Sequence, residues 1–254
     1  KERVLNLLNG MFAFALWDKK EKNLFLARDR FGEKPLYYTF QNNNFLFFSE
    51  LKCLKILKEY KREIDEESLK IFSNVNYIPA PYTIYKNVYK LEPGSFLEIN
   101  KRFKDNISIY KNKNINTVNF KKKKWWNVSQ EFKIDKNLIY SEKINLLEKN
   151  IDRAVNSQLI SDVKIGSFLS GGIDSALISY FMQKNSQKKI ETFTIKTEDK
   201  FYDESKKAKD ISEYIGSTHH EYVISKNDIK NYLPSMFEVY DEPFSDSSQI
   251  PTYF

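Results

Sequence analysis

Val163-Lys164-Ile165-Gly166-Ser167-Phe168-Leu169-Ser170-Gly171-Gly172-Ile173-Asp174-Ser175 is the stretch that decides the fold. It opens as an apolar run of strand length, breaks on two glycines, and restarts as Ala176-Leu177-Ile178-Ser179-Tyr180-Phe181-Met182, long enough for a helix wall. A strand feeding a helix through Ser-Gly-Gly-x-Asp-Ser is built to hold an anion. Glycine lets the backbone approach a ligand, and the first helix amides lack internal partners and face negative charge favourably. Ser170 and Ser175 add hydroxyls that a phosphate can use. Asp174 would repel a phosphate unless it holds a divalent cation that in turn holds the phosphates. The plainer alternative is a glycine turn in which Asp174 or Ser175 caps the helix.

Spacing removes three other glycine motifs. There is no Gly-Lys-Ser/Thr of a phosphate-binding P-loop and no Gly-x-Gly-x-x-Gly of a dinucleotide fold. Phe168 stands where a nucleophile elbow requires glycine, which argues against a hydrolase serine at Ser170. Ser170-Gly171-Gly172-Ile173-Asp174-Ser175 resembles the pyrophosphate-binding loop of ATP pyrophosphatases that adenylate a substrate. With Phe168-Leu169 before it, it is similar to the asparagine synthetase version.

The surrounding pattern fits an α/β unit. Helical spacing runs over Ser141 to Ser157, and strands are expected at Ile190 to Ile195 and His219 to Ile224. Helices are expected from Asp203 to Ile215, ended by Gly216, and from Lys226 to about Tyr240. Such alternation predicts a doubly wound parallel sheet covered on both faces, with ligands beyond the carboxyl ends of its strands. The Ser170 to Ser175 loop falls there. The resemblance implies that Ile195, with Phe168, contacts adenine, and that Phe168, Ser170, Gly171, Gly172, Asp174, Ser175 and Ile195 together bind ATP, with Mg2+ at Asp174. His219 and His220 lack metal-ligand spacing and alternate across a strand, so both are expected to be structural.

The first half reads differently. Met11 to Trp17 and Leu24 to Arg28 predict a hairpin, and Leu36 to Phe40 and Phe45 to Phe48 two further strands, together a meander. Ser49 is placed to cap a helix from Glu50 to about Tyr60, and Asp65 to Asn74 predicts a short helix. Pro-Gly punctuation predicts a hairpin around Lys90 to Ile99, and Ile107 to Phe120 is expected to form strands or loop. Asn9-Gly10-Met11-Phe12-Ala13-Phe14-Ala15-Leu16-Trp17-Asp18, Leu26 through Tyr38, and Ser49-Glu50-Leu51-Lys52 are similar to the glutaminase half of the same synthetases. That implies the C-terminal portion of an N-terminal-nucleophile glutaminase sandwich, an α+β fold. The family's nucleophile is a processed first-residue cysteine, which this chain does not contain. Cys53, inside an expected helix, cannot stand in for it.

Composition sets the remaining bounds. At 254 residues there is room for one large or two ordinary domains, expected at 1–136 and 137–254. The single cysteine rules out an internal disulfide framework and fits a reducing cytoplasm. No apolar run spans a bilayer, so no membrane partner is expected. A net charge of +7 invites nucleic acid, but the lysines are scattered among asparagines and arginine is scarce, so none is expected. Lys121-Lys122-Lys123-Lys124 before Trp125-Trp126 reads as a solvated linker run. The chain starts without methionine and stops as a new apolar segment begins, so both ends are read as internal to a longer protein.

Tyr240-Asp241-Glu242-Pro243-Phe244-Ser245-Asp246-Ser247-Ser248-Gln249-Ile250-Pro251 is dense in carboxylates and hydroxyls. Its carboxylates would assist cation binding or orient a substrate, with Asp241 on the substrate side, or else the segment is a capped loop. It too resembles the family, yet Asp246-Ser247 replaces an arginine-containing version and matches the branch associated with sugar polymers. The resemblance implies a ligase that adenylates a carboxylate, aspartate or a sugar acid, and amidates it with ammonia from glutamine. It allows a homodimer. A tRNA-modifying pyrophosphatase and a non-catalytic nucleotide-binding protein are the other readings.

Overall fold

The computed structural model describes residues 1–42, 44–57, 59–60, 62–100, 115–116, 120–131, 138–198, 203–246 and 248–253. It is a mixed α/β chain that divides into two compact units, Lys1–Lys133 with Phe237–Asp246, and Ile134–Met236 with Ser247–Phe254. The expected boundary at 136/137 lies outside the described residues, as do Ser247 and most of the 107–120 stretch.

The first unit opens with a single helical turn, α1 (Glu2–Leu5), and an antiparallel hairpin of β1 (Ala13–Asp18) and β2 (Asn23–Arg28). The chain then leaves that sheet. β3 (Tyr37–Gln41) and β4 (Asn44–Phe48) pair with each other, and β3 also pairs with β5 (Val88–Lys90), so the expected meander is split between two sheets. Leu51–Lys55 is a short 3-10 helix, and α2 (Glu66–Val75) follows Asp65, whose carboxylate accepts the Glu67 and Ser68 amides. β6 (Ser95–Asn100) returns to pair with β2 and with β8 (Phe120–Lys124); β7 (Ile115–Asn116) lies beyond β8, and α3 (Val128–Glu131) follows.

Lys90 to Ile99 is therefore not a hairpin: β5 and β6 belong to different sheets, and Pro93-Gly94 carries the chain between them. Gly94 has φ 63° and a Cβ there would lie 2.6 Å from the Trp126 carbonyl oxygen, so only glycine fits this crossing. The other crossing is held by Asp29, which is 1 % exposed. Its carboxylate accepts the amides of Phe12, Phe31, Glu33 and Lys34 at 2.9–3.3 Å.

The alternation of β2 and β6 explains the layering. Leu26, Leu97 and Ile99 meet Tyr38, Tyr89 and Leu91 in a core shared by the two sheets. Phe25, Ala27 and Phe96 point the other way, onto Leu5, Phe12, Phe14 and Trp125. The far side of the β3–β4–β5 sheet is covered by Leu51, Leu54, Ile78 and Ile84. A sheet with both faces buried reads as continuous apolar strands, which is why Phe25-Leu26-Ala27 shows no polar alternation.

The lysine run is not a linker. It is β8, and Lys122 is 1 % exposed with its Nζ 2.7 Å from Glu92 Oε1. Lys121 and Lys123 reach Glu2. Burial holds the Lys122 ammonium below the usual lysine range, with Glu92 opposing that shift.

The second unit follows the expected order closely. α4 (Tyr140–Gln158) leads to β9 (Gly166–Phe168), α5 (Ile173–Lys184), β10 (Glu191–Thr197), α6 (Ser205–Ile215), β11 (Thr218–Ile224) and α7 (Lys226–Val239), with α8 (Gln249–Tyr253) last. β9, β10 and β11 form a parallel sheet in that order. α5 and α6 pack on each other and on the strands, and α4 packs on α5. Ser167, Thr192, Thr194 and His219 lie on the face toward these helices. Ser167 Oγ meets Ser179 Oγ of α5 at 2.9 Å. Gly216, at φ 77°, ends α6, and the amides of Gly216 and Ser217 both reach the Ser212 carbonyl.

Candidate functional site

The loop after β9 stands at the carboxyl end of the parallel sheet. Leu169 is 2 % exposed and anchored there, donating to the Phe193 carbonyl of β10 at 2.8 Å. α5 then starts with Gly172 as its N-cap, and no side chain caps it. The plainer capping role for Asp174 or Ser175 is thereby absent at the N-cap position. Asp174 is exposed in the first turn of α5.

The serines knit the loop together. Ser170 Oγ and Ser175 Oγ are 2.8 Å apart, Ser175 Oγ accepts the Ser170 amide at 3.1 Å, and Ser170 Oγ accepts the Gly172 amide at 3.2 Å. The Gly171 amide goes elsewhere, to Glu204 Oε2 at 3.0 Å.

Beside the loop lies a cavity of about 730 Å³, within the range of small-ligand sites. Its walls are apolar, from Phe168, Leu169, Phe193, Ile195, Ile224 and Ile229, closed by Ile250 and Pro251. Ser170 and Ser175 form its polar end, and Glu198, Glu204 and Lys226 bring charge. Of the residues expected to bind nucleotide, Phe168, Ser170, Ser175 and Ile195 line this space. Gly171, Gly172 and Asp174 sit in the adjoining turn. Phe168 is 70 % exposed, a large aromatic side chain left open at the mouth of the cavity.

Asp241 is placed in the first unit. Its carboxylate accepts the amides of Leu51 at 2.5 Å and Lys52 at 3.2 Å, capping the 3-10 helix from a distance of 190 residues in sequence. Ser49 makes no such cap, and the expected helix stops at Lys55 instead of Tyr60. Glu242 pairs with Lys90 and accepts the Ile84 amide at 3.1 Å. Burial raises the Glu242 carboxyl above its ordinary range, against the pull of Lys90. Cys53 lies half-buried in the same 3-10 turn.

His219 and His220 face opposite sides of β11, as alternation requires. His219 Nδ1 is 3.0 Å from Thr192 Oγ1, and burial lowers its pKa. His220 stacks on Phe193 at 5.0 Å and contacts Glu191. Among the described residues no three His, Cys, Asp or Glu side chains form a metal-binding group, and no helix is long and apolar enough to cross a membrane.

Sequence reasoning missed Glu204. The signal was an Asp203-Glu204 pair before a helix, which reads equally well as a cap. Only packing of α6 against the loop brings its carboxylate to Gly171.

The second unit thus offers a cavity of small-ligand size beside a glycine turn at the carboxyl end of a parallel sheet, and the first a layered pair of antiparallel sheets, a two-unit α/β class of protein. Family models agree at both places: a glutamine amidotransferase domain matches residues 2–110 and asparagine synthase matches residues 146–254. The chain belongs to the glutamine-hydrolysing asparagine synthetase family. It is 36% identical over 252 residues to a putative asparagine synthetase [glutamine-hydrolyzing] 2 of Methanocaldococcus jannaschii, covering 96% of this chain and 45% of the relative. Against asparagine synthetase 1 of Bacillus subtilis it is 34% identical, covering 100% and 37%, and against asparagine synthetase 3 of that organism 31%, covering 96% and 39%. The chain thus spans less than half the length of these curated relatives.

Proposed function

We propose that this chain belongs to an ATP-dependent ligase that adenylates the side-chain carboxylate of aspartate and amidates it with ammonia released from glutamine. The observation that carries the reading is the Ser170 to Ser175 turn at the carboxyl end of a parallel sheet, leading into a helix with no side-chain N-cap, beside a largely apolar cavity. In this reading the second unit is a doubly wound nucleotide-binding sheet and the first is the C-terminal part of an N-terminal-nucleophile sandwich.

Adenine would lie against Phe168 and Ile195, and the phosphates against the amides and hydroxyls of Ser170, Gly171, Gly172 and Ser175. Magnesium takes one or two carboxylates together with substrate phosphates, and exposed Asp174 supplies one beside the turn. Bound there, magnesium would neutralise charge on the phosphates. The substrate carboxylate attacks the α-phosphorus, pyrophosphate leaves, ammonia adds to the acyl-adenylate carbon, and AMP departs. The loop amides stabilise charge on the leaving pyrophosphate. In this reading glutamine hydrolysis is the task of the first unit's family.

A sugar carboxylate is the second reading for the acceptor, favoured by Asp246-Ser247 in place of an arginine-containing version. Asp241 would stand on the substrate side in either case; its contact with the Leu51 and Lys52 amides is also a structural role, and the two are separable by mutation. A nucleotide-binding protein without catalysis is the remaining reading.

The test is release of AMP and pyrophosphate by the whole ligase from ATP, magnesium and either glutamine or ammonium, with Asp174→Ala as control. Release that requires aspartate and is lost in the variant supports asparagine synthesis. Release only with a uronic-acid sugar nucleotide moves the acceptor to a sugar. Silence with both leaves the binding protein.

A further inference from the structure

The anion loop of the second unit already holds an anion of its own. Glu204, the residue before α6, accepts the Gly171 amide at 3.0 Å. The amides on either side are taken by hydroxyls, Ser170 N–H by Ser175 Oγ and Gly172 N–H by Ser170 Oγ. Three successive donors, the kind of nest that cradles phosphate, are thus satisfied from within the chain.

The three partners are not equivalent. A serine hydroxyl accepts here and, by turning, donates to a phosphate oxygen. An ionised carboxylate has acceptors only, so Glu204 can share neither the amide nor the space with a phosphate, and it repels one. Its contact is fixed by the fold. A Cβ at Gly171 would meet Lys207 Cβ and Cδ at 3.0 Å and Glu204 Cβ at 3.5 Å, so the start of α6 lies directly against the loop. Glu204 also lines the cavity with Ser170 and Ser175.

We infer that Glu204 is an internal stand-in for a phosphate group, holding the cradle closed and selecting metal-complexed oligophosphate over the free anion. The inference rests on the nucleotide reading of this loop. A free oligophosphate must displace Glu204 against like-charge repulsion. One that arrives with a divalent cation offers the displaced carboxylate a hard cation, which oxygen ligands satisfy. Glu204 is in this sense a specificity-determining residue.

The experiment is calorimetric titration of the full chain with inorganic pyrophosphate, once with chelator and once with excess magnesium, for wild type, Glu204→Gln and Glu213→Gln. Glu213 is an exposed carboxylate on the same helix and controls for loss of one negative charge. Hydrogen bonds to charged groups contribute enough that Glu204→Gln should bind metal-free pyrophosphate roughly tenfold tighter. Its preference for the magnesium complex should shrink by at least that factor, while Glu213→Gln follows wild type. In ligand-free protein the Gly171 amide should exchange faster in Glu204→Ala. Wild-type binding with no gain in Glu204→Gln, or an equal gain in Glu213→Gln, overturns the stand-in and leaves the nucleotide reading intact. Absence of pyrophosphate binding in all three proteins, with magnesium present, overturns both.

Discussion

Asp29 shows how much one buried carboxylate can organise. Burial alone would raise its pKa, but the surrounding backbone amides outweigh that and hold the carboxyl below the ordinary carboxylate range. A group whose folded pKa is depressed adds stability that is present above its unfolded pKa and lost as pH falls through the folded value. Asp29 should therefore stabilise the first unit at neutral pH and lose that contribution progressively as the pH falls below about 4 towards the lower folded-state value. Asp29→Asn, which offers an amide NH2 to amide donors, should lose about 2–4 kcal/mol in urea unfolding at pH 7, and less at pH 3. Lys122 and Glu92 make the opposite case. Removing one partner of a buried pair leaves the other charge uncompensated, so Lys122→Met alone, which strands the Glu92 carboxylate, should cost about 3–5 kcal/mol, whereas replacing both, Lys122→Met with Glu92→Leu, should fall within about 1 kcal/mol of wild type or above it. A loss in the double variant equal to that of Lys122→Met would show that the pair itself stabilises. Neither residue's role was legible in sequence. Asp29 reads as a turn residue, and Lys122 sits in a run of four lysines whose composition says solvent. The register of β8 against β6 is what buries it.

At the scale of elements, local patterning and tertiary capping divided the work. α2 carries its own N-cap in Asp65, α6 its own stop in Gly216, and both were readable because the signals lie within a turn of the helix end. The Leu51–Lys55 turn takes its cap from Asp241, far away in sequence, and no window of residues could reveal that. Asp241→Ala should cost the first unit about 1–2 kcal/mol. Trp17, Trp125 and Trp126 all lie in that unit, so intrinsic fluorescence in a urea titration reads it directly. Unchanged stability with a raised acceptor KM would place Asp241 on the substrate side instead. The split of β1–β2 and β3–β4 between sheets likewise escaped sequence reading, because hairpin signals fix neighbours and leave sheet membership open.

For the whole molecule, the division into two units makes ligand effects local. With magnesium and pyrophosphate at a hundred times the dissociation constant, the second unit should gain roughly 2.7 kcal/mol. Hydrogen exchange should slow across 166–176 and leave the amides around Asp29 and Phe96 unchanged. Protection spread equally over both units would contradict this. The sequence by itself determined the order of strands and helices in the second unit, the glycine turn between β9 and α5, and the amidotransferase-like pattern of the first. Those depend on periodicity, turn chemistry and short spacings, which act within a dozen residues. Only the tertiary structure decided that Lys122 is buried, that Asp241 caps a helix turn, and that Glu204 occupies the Gly171 amide. Each is a contact between residues remote in sequence, and its free energy comes from desolvation and geometry that exist only once the layers have packed.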